Sequence, residues 1–251
     1  MNYSKDVIIE DLNIKFYFEY LEWDSGFFSR PSYLLNLEKS NLGVSSLCKT
    51  MIKEKLNGAF TTVKLDTYLD SQLLKLFQEC GFYYVDTEVI LQYLPSKNFQ
   101  LKSTSEVKIV RKKMNIDLPY EELGSVFSST RFHTDTNITN SKADDLWINY
   151  LKNYRISEDR CMFTAEINEK IVGVILVNVN GEIATLFYVA VLHEFAGRGV
   201  GSELIEYVFD NFKKFIIKTE TQIQNFNALN YYINNGLSKI ENTLTVLHRW
   251  K

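Results

Sequence analysis

The sequence predicts a mixed α/β protein, and two features lead to this prediction. Three apolar strands follow one another with only tight turns between them, which is typical of antiparallel pairing. After them, strands alternate with helical patterns, which is typical of a mixed architecture. The three strands lie around 160–167, 171–179 and 183–192. The alternating part has a helix at 200–212, a strand at 215–223, a helix at 226–234 and a strand at 237–249.

The preceding chain has a similar mixture of elements. Strands are predicted at 13–22, 59–66, 83–93 and 106–111, and helices at 44–56, 70–80, 118–127 and 142–153. The segment 95–106 (PSKNFQLKSTSE) is polar and has no apolar periodicity, so it is a candidate boundary. We therefore expect an N-terminal domain over 1–104 and a second domain over 105–251.

Composition excludes several classes of protein. The 251 residues include 28 Lys and Arg against 31 Asp and Glu, and no basic stripe is evident, so nucleic acid is not an expected partner. Cys48, Cys80 and Cys161 lie far apart, which argues against a disulfide framework or a metal site. No signal peptide is apparent, because the N-terminal residues include early acidic side chains and no apolar core. No membrane span is apparent either, because polar residues interrupt the most apolar stretch. We expect a soluble, cytoplasmic protein that does not bind membranes.

The two halves share a local pattern. QECGFYYVDTEVILQYL is centred on Gly81 and INNGLSKIENTLTVLHRW on Gly236, and each combines a helix end, a glycine and a strand. Phe77 and Tyr232 each lie four residues before the glycine. We interpret the N-terminal part as a truncated, non-catalytic relative of the C-terminal part. The alternative is that helix, glycine and strand simply form a common sequence of elements.

The segment AGRGVG (196–201) contains the strongest chemical signal. Gly197, Gly199 and Gly201 allow the backbone to curl and present successive N–H groups at the positive end of the following helix. Arg198 adds a cation, so the turn suits a phosphate or a pyrophosphate. The spacing matches neither a P-loop nor a dinucleotide-binding fingerprint. The alternative is a glycine-rich connection that binds no ligand.

Two motifs together resemble the GCN5-related N-acetyltransferase (GNAT) superfamily. VAVLHEFAGRGVGSELI is similar to its acetyl-CoA signature. NFNALNYYINNGL is similar to its closing motif, through Asn225, Ala228, Tyr232 and Gly236. The resemblance covers roughly residues 106–251. It implies a GNAT fold, with a mostly antiparallel sheet flanked by helices, and acetyl-CoA as the acyl donor.

The resemblance also assigns residues that bind the cofactor. The exposed strand backbone would bind the pantetheine arm, and one of its N–H groups would bind the thioester oxygen. Ala196 replaces the usual Arg or Gln, so the loop amides and Arg198 would bind the diphosphate. Asn225 would bind pantetheine or only cap its helix. The assigned strand and loop residues are Val189, Ala190, Val191, Gly197, Arg198, Gly199, Val200, Gly201 and Ser202.

Tyr232 would be the general acid toward the sulfur of coenzyme A, and amine attack would be direct, without an acyl-enzyme. The alternative for Tyr232 is a core aromatic, like its neighbour Tyr231. His133 is a candidate base or proton relay, although it could equally be a solvated loop residue. Asp24 and Asp135 are other candidate bases, and the proton could instead leave through water.

Further segments resemble the dTDP-fucosamine acetyltransferase branch, which acetylates the amine of a dTDP-linked amino-dideoxy sugar. These are LEWDSGFFSRPSYLL, SSTRFHTDTNI and LDTYLDSQLLKLFQECGFYYVDTEV. Aromatic side chains could enclose the base and sugar, and an arginine could pair with the diphosphate. Alternatively, the aromatics are core residues and the arginine is an ion-pair partner. The candidate substrate-binding residues are Trp23, Asp24, Phe27, Arg131, Phe132 and Asp135.

The expected function is therefore acetyl transfer from acetyl-CoA to a nucleotide-linked amino sugar, in surface polysaccharide biosynthesis. One rival is a GNAT enzyme for another amine, such as an aminoglycoside, a polyamine or a protein amine. A second rival is a non-catalytic acyl-CoA-binding protein. A homodimer is a possible assembly.

Overall fold

The computed structural model describes residues 5–11, 14–39, 46–66, 71–95 and 106–250. The chain divides into two compact units, neither of which is a single continuous segment. Unit 1 comprises Met1–Glu88, Thr134–Asn137 and Thr243–Lys251, and unit 2 comprises Val89–His133 and Ile138–Asn242. Most of the candidate boundary, residues 96–105, lies outside the described residues. The domains 1–104 and 105–251 stay a prediction.

The elements fall into three groups. Unit 1 contains β1 (Lys5–Asp11), β2 (Ile14–Tyr20), α1 (Glu22–Phe28), β3 (Ser32–Lys39), α2 (Ser46–Lys55), β4 (Phe60–Asp66) and α3 (Ser71–Glu79). The next strand, β5 (Tyr83–Gln92), contributes residues to both units, and α5 (Arg131–Thr134) and β11 (Lys239–Arg249) do the same. Unit 2 contains β6 (Lys108–Lys112), α4 (Tyr120–Gly124), α6 (Asn140–Asn153), β7 (Arg160–Ile167), β8 (Lys170–Asn180), β9 (Ile183–Val191), α7 (Val200–Asn211), β10 (Ile216–Gln222) and α8 (Phe226–Asn234).

In unit 1, two antiparallel strand pairs are followed by one parallel pair. β1 pairs with β2 and β2 with β3, both antiparallel, whereas β3 and β4 are parallel and are connected through α2. α3 buries Leu73, Leu76 and Phe77, because a spacing of three and four residues puts them on one helical face. They pack in one apolar cluster with residues of β2, β3 and β4.

Unit 2 is built around a continuous antiparallel sheet that ends in one parallel pair. β6, β7, β8 and β9 pair antiparallel in that order, and β9 pairs parallel with β10 through the crossover helix α7. Four successive residues of β8, Val174 to Val177, are fully buried. The strand is therefore covered on both faces, which explains its unbroken apolar run.

The two units repeat one order of elements. In unit 1, an antiparallel pair β2–β3 is followed by α2, the parallel strand β4 and α3. In unit 2, β8–β9 is followed by α7, β10 and α8. Gly81 and Gly236 follow the last helix of each series with φ of +88° and +91°, a conformation that favours glycine. This topology agrees with the N-terminal part being a truncated relative.

Most predicted elements agree with the structure to within a few residues. The predicted strand at 13–22 is shorter, because β2 ends at Tyr20 and α1 begins at Glu22. The structure also contains β1, α1, β3 and α5, which the sequence analysis did not predict. Among the described residues, no helix has the length and apolar character needed to span a membrane.

The packing of α4 on α6 leads to a stability prediction. A Cβ at Gly124 would lie 2.9 Å from the Ile148 Cα, and that backbone atom cannot move aside easily. We expect Gly124→Ala to lower the free energy of unfolding by about 1–3 kcal/mol. Gly26→Ala is the control, because a methyl group added there would have no atom within 4 Å and alanine is the better helix former. Urea denaturation measures both, and equal midpoints would contradict this account of the helix contact.

Candidate active site

A cleft opens between β9 and β10 in unit 2. The parallel pairing runs from Ile183 and Ile216 to Leu186 and Thr219, and both strands then continue without pairing to each other. On its other side, β9 pairs Leu186 with Val177 and Tyr188 with Leu176, so that Phe187 is an extra, bulged residue. A β-bulge bends its strand and increases the local twist, which separates β9 from β10 beyond this point.

The glycine loop lies between the end of β9 and the start of α7. Gly197 and Gly199 have φ of +74° and +86°, so both use backbone conformations that side chains disfavour. Gly199 is the N-cap residue of α7, and no side chain caps the helix. The first N–H groups of a helix lack intrahelical acceptors and lie at the positive end of its dipole. This end of α7 can therefore bind an anion.

Gly201 is required for a different reason. A Cβ at this position would lie 2.7 Å from the Tyr231 hydroxyl oxygen, so any larger residue would displace the Tyr231 ring. The Tyr231 hydroxyl is buried and has no hydrogen-bond partner among the described residues. Burial raises the pKa of Tyr231 well above its ordinary value.

Tyr232 lies on α8, and its side chain is 8% exposed. Thr219 is the last β10 residue that pairs with β9, and its hydroxyl donates to the Leu186 carbonyl oxygen at 3.1 Å. Burial raises the pKa of Tyr232. The phenol is therefore protonated at neutral pH and can serve as an acid.

Asn225 caps α8. Its side-chain oxygen accepts a hydrogen bond from the Ala228 backbone N–H at 3.1 Å, which is one of the two roles considered from the sequence. In β9, the Ala190 side chain is buried, whereas Val189 and Val191 are half-buried. Alternate residues of a strand face opposite sides, so the β9 main chain forms the wall of the cleft while its side chains pack above and below.

His133 belongs to a hydrogen-bonded chain inside unit 2. Its Nδ1 lies 2.9 Å from the Thr130 Oγ1, and its Nε2 lies 3.0 Å from the Asp144 Oδ1. The Trp147 indole donates to the Thr130 Oγ1 at 3.1 Å. Both ring nitrogens are thus occupied, and the side chain is 7% exposed. To act as a base toward an amine, the ring would first have to break one of these bonds.

The series of hydrogen bonds from His133 through Thr130 to Trp147 ends at an aromatic cluster on β9. Trp147 stacks with Phe127 at a centroid distance of 4.6 Å, and Phe127 lies 4.5 Å from Tyr188, the residue after the bulge. Tyr150 meets the exposed Phe187 edge-on at 6.1 Å. The cluster therefore supports the bulged part of β9 from the side of α6.

The other sequence-predicted residues of unit 2 differ in accessibility. Phe132 is 1% exposed, so its ring is part of the core. The Arg131 guanidinium lies over that ring at 4.4 Å, and the residue itself is half-buried. Arg131 is thus positioned by a cation–π contact, while Phe132 has no surface for a substrate in this conformation.

Asp135 lies in unit 1 at the centre of a buried network. Its Oδ1 accepts from Tyr83 at 2.8 Å, and its Oδ2 is bonded to His248 and Trp250 at 2.7 and 2.8 Å. The Asn137 backbone N–H also donates to Oδ1. Burial alone would raise the pKa of Asp135, but these hydrogen bonds outweigh it and hold the pKa well below its usual value. The substrate role predicted for Asp135 would require breaking these bonds.

Trp23, Asp24 and Phe27 lie on α1 in unit 1. The two rings stack at a centroid distance of 5.4 Å with an angle of 14° between them. All three residues are half-buried, and Phe28 on the same helix is buried against Phe60. This helix therefore presents part of an aromatic pair to solvent while its other face is anchored in unit 1.

A cavity of about 590 Å³ adjoins the glycine loop in unit 2. Lys170, Phe195 and Arg198 contribute to its lining. The Phe195 ring has the Arg198 guanidinium at 5.4 Å and the Lys170 ammonium at 5.6 Å. Lys170 is also paired with Glu194 at 2.6 Å, so the charge of the cavity is partly compensated.

The sequence analysis missed three residues of this arrangement. Thr130 and Asp144 hydrogen-bond the predicted residue His133, and Phe187 forms the bulge. Thr130 had a usable signal, since it lies with His133 in the segment SSTRFHTDTNI. The bulge had none, because no residue type near Phe187 marks an extra residue in a strand.

Comparisons with known proteins agree with this geometry. A profile of the acetyltransferase (GNAT) family matches residues 127–236, which contain the glycine loop, β10 and α8. This part of the chain is therefore similar to that family. No curated protein matches the sequence significantly.

Several solved structures are similar over nearly the whole chain. A conserved protein of unknown function from Staphylococcus epidermidis has a TM-score of 0.64 and 15% identity, over 100% of this chain and 95% of that one. A GCN5-related N-acetyltransferase from Sphaerobacter thermophilus has a TM-score of 0.61 and 12% identity, over 93% of this chain and 76% of that one. A tandem GNAT protein from the clavulanic acid biosynthesis pathway has a TM-score of 0.55 and 11% identity, over 98% of this chain and 84% of that one. The predicted GNAT fold class is confirmed.

The buried network around Asp135 predicts a pH-dependent stability. Asp135→Asn removes the charge that His248 and Trp250 bind, and we expect it to lower the free energy of unfolding by about 3–5 kcal/mol at pH 7. The folded pKa of Asp135 is lowered, so its contribution is present above the unfolded pKa, about 4, and is lost as the pH falls toward the folded value. The difference between variant and wild type should therefore shrink in acid.

Chemical denaturation at pH 7 and at successively lower pH measures this difference. The exposed residue Asp145 provides the control variant Asp145→Asn, which should change stability little at any pH. A constant difference between Asp135→Asn and wild type across the acid range would contradict the assigned role of the carboxylate.

Proposed function

We propose that the protein transfers an acetyl group from acetyl-CoA to an amine by direct attack, without an acyl-enzyme. The observation that carries the proposal is the cleft between β9 and β10. It combines a strand edge freed by the Phe187 bulge, an uncapped helix N-terminus and a protonated phenol. These groups match an extended polar chain, a diphosphate and a leaving group that needs a proton.

The residues present fit acetyl-CoA. The β9 backbone at Val189 to Val191, unpaired to β10, would bind the pantetheine arm. The amides of 197–202 would bind the diphosphate, and the exposed Arg198 adds a cation. Acetyl-CoA supplies an acyl group activated as a thioester. A β9 backbone N–H would stabilise the negative charge that develops on the acyl oxygen.

Tyr232 would supply the proton that the departing sulfur needs. Its phenol is buried and its pKa is raised, so it carries its proton at neutral pH and can donate it to the sulfur as negative charge develops there. The attacking amine loses one proton to solvent, and the phenol regains one, so the enzyme returns to its starting state. The mechanism needs no cysteine, and Cys80 and Cys161 are both buried.

Tyr232→Phe tests the acid. We expect turnover to fall roughly 10²–10⁴-fold, because proton transfer is lost while the ring still packs. The dissociation constant for coenzyme A, measured by calorimetry, should change less than about twofold, because the β9 and loop backbone remain. Tyr231→Phe is the matched control on the same helix and should keep its turnover. Unchanged turnover in Tyr232→Phe would contradict the acid role.

For the acceptor, we propose a dTDP-linked amino-dideoxy sugar of the kind used in surface polysaccharides. The sequence resemblance is the main support. In unit 2, the half-buried Arg131 suits a diphosphate. The roles of Trp23 and Phe27, which lie in unit 1, stay predictions. Phe132 and Asp135 are buried and do not add support.

A panel of acceptors tests this choice. We expect coenzyme A release to be fastest with dTDP-4-amino-4,6-dideoxyhexoses and slow with an aminoglycoside, spermidine or a peptide amine. Arg131→Ala should raise the KM for the sugar nucleotide about tenfold and leave coenzyme A binding unchanged, whereas Arg155→Ala, at an exposed arginine of the same unit, should change neither. Faster turnover of another amine would overturn the acceptor. Coenzyme A binding without turnover of any amine would indicate a non-catalytic acyl-CoA-binding protein.

A further inference from the structure

The cavity beside the glycine loop lies on the β8 side of β9, whereas the cleft lies on the β10 side. Its described lining comes from the chain just before β6, from the β7–β8 turn and from the loop between Phe195 and Val200. Its volume of about 590 Å³ falls within the range of small-molecule sites, roughly 300–1,000 Å³. The glycine loop therefore borders two concave surfaces, and the cavity is large enough to hold part of a ligand.

Strand register fixes Lys170 beside this loop. β7 and β8 are joined by a two-residue turn, Asn168 and Glu169, whose φ values of +48° and +64° match the tight turn of a hairpin. β8 then runs antiparallel to β9, and the Leu192 N–H donates to the Val172 carbonyl oxygen at 2.8 Å. The start of β8 therefore lies next to the chain that follows the end of β9.

Two cations lie around one aromatic ring in the cavity. The Lys170 ammonium is 5.6 Å and the Arg198 guanidinium 5.4 Å from the ring centroid of Phe195, which is half-buried. Cation–π attraction at these distances holds both charged groups against the same ring. Arginine and lysine are the side chains that commonly bind phosphate, so this pair suits a phosphate group.

Two carboxylates accompany these cations. Glu194 pairs with Lys170 at 2.6 Å, and both side chains are 59% exposed. The exposed Glu106 contributes to the lining as well. An exposed ion pair is weak, because water screens both charges. Lys170 can therefore exchange the single charge of Glu194 for a phosphate monoester, which carries about −1.5 to −2 at pH 7.

The diphosphate that the loop amides would bind is only the middle of coenzyme A. On the side away from pantetheine, the molecule continues into an adenosine with a phosphate on its 3′-oxygen. We propose that the cavity receives this phosphorylated end, and that Lys170 binds the 3′-phosphate together with Arg198. Phe195 is the positioning residue, because its ring holds both cations. The inference rests on the proposed acetyltransferase function and assigns to it a lysine outside the two motifs.

Coenzyme A and 3′-dephospho-coenzyme A differ only in this phosphate, so calorimetry with both ligands tests the assignment. We expect wild-type protein to bind coenzyme A about tenfold more tightly, because hydrogen bonds to charged groups are the stronger ones. Lys170→Ala should weaken coenzyme A binding about fivefold to tenfold and change the binding of 3′-dephospho-coenzyme A less than about twofold.

Two further variants separate this contact from a general effect of charge. Lys213→Ala removes a lysine from an exposed ion pair with Asp210, at the far end of α7, and should change neither affinity. Glu194→Gln removes the carboxylate that competes for Lys170. It should strengthen the binding of coenzyme A more than that of 3′-dephospho-coenzyme A, and a weakened coenzyme A complex would contradict the competition.

A second measurement locates the phosphorylated nucleoside directly. Adenosine 3′,5′-bisphosphate contains this part of coenzyme A without the pantetheine arm. At saturation it should shift the backbone amide resonances of Asn168, Lys170 and Phe195 in ¹⁵N-labelled protein more than adenosine 5′-monophosphate does. Unmoved resonances at all three residues would overturn the cavity assignment.

The calorimetric outcomes distinguish this inference from the proposed function. If wild-type protein binds neither coenzyme A nor 3′-dephospho-coenzyme A, the proposed function fails, and the inference fails with it. If wild-type protein binds both ligands equally well, only the assignment of the cavity is overturned. The same holds if Lys170→Ala weakens both ligands by the same factor.

Discussion

The end of pairing between β9 and β10 is the constraint on which the candidate site depends. Four residue pairs join the strands up to Leu186 and Thr219, and the extra residue Phe187 then turns β9 away while β8 continues to pair with it. Had the parallel ladder continued, the β9 amides would be bound to β10 and Tyr232 would lie under a closed sheet. One inserted residue thus converts a structural strand edge into a surface that can bind an extended ligand.

Local sequence signals predicted the parts of the site that depend on local chemistry. The positive φ values at Gly197 and Gly199 agree with the expectation that glycines curl the backbone there. The observed bounds of α7 and β10 lie within one residue of the predicted bounds. The bulge could not be predicted, because it depends on strand register. The burial of Asp135 could not be predicted either, because its partners Tyr83, His248 and Trp250 are distant in sequence. The substrate roles of Asp135 and Phe132 stay predictions.

The repeat within the chain gives the same order of elements two different residues at one position. Unit 1 has its own parallel pair, β3 and β4, and its own helix before a left-handed glycine. At the position that corresponds to Tyr232 it has Phe77, which is fully buried in an apolar cluster. A ring without a hydroxyl can only pack, so Phe77 could not supply the acid that we propose for Tyr232.

The Tyr231 hydroxyl shows what close packing beside the glycine loop costs. It is buried without a partner among the described residues, and a phenylalanine ring would fill the same space without that cost. The hydroxyl oxygen lies 2.7 Å from the position that a Cβ of Gly201 would occupy, so the ring fills the space that glycine leaves in the first turn of α7. Gly201 and Tyr231 are therefore matched by packing, and this match does not depend on the hydroxyl group.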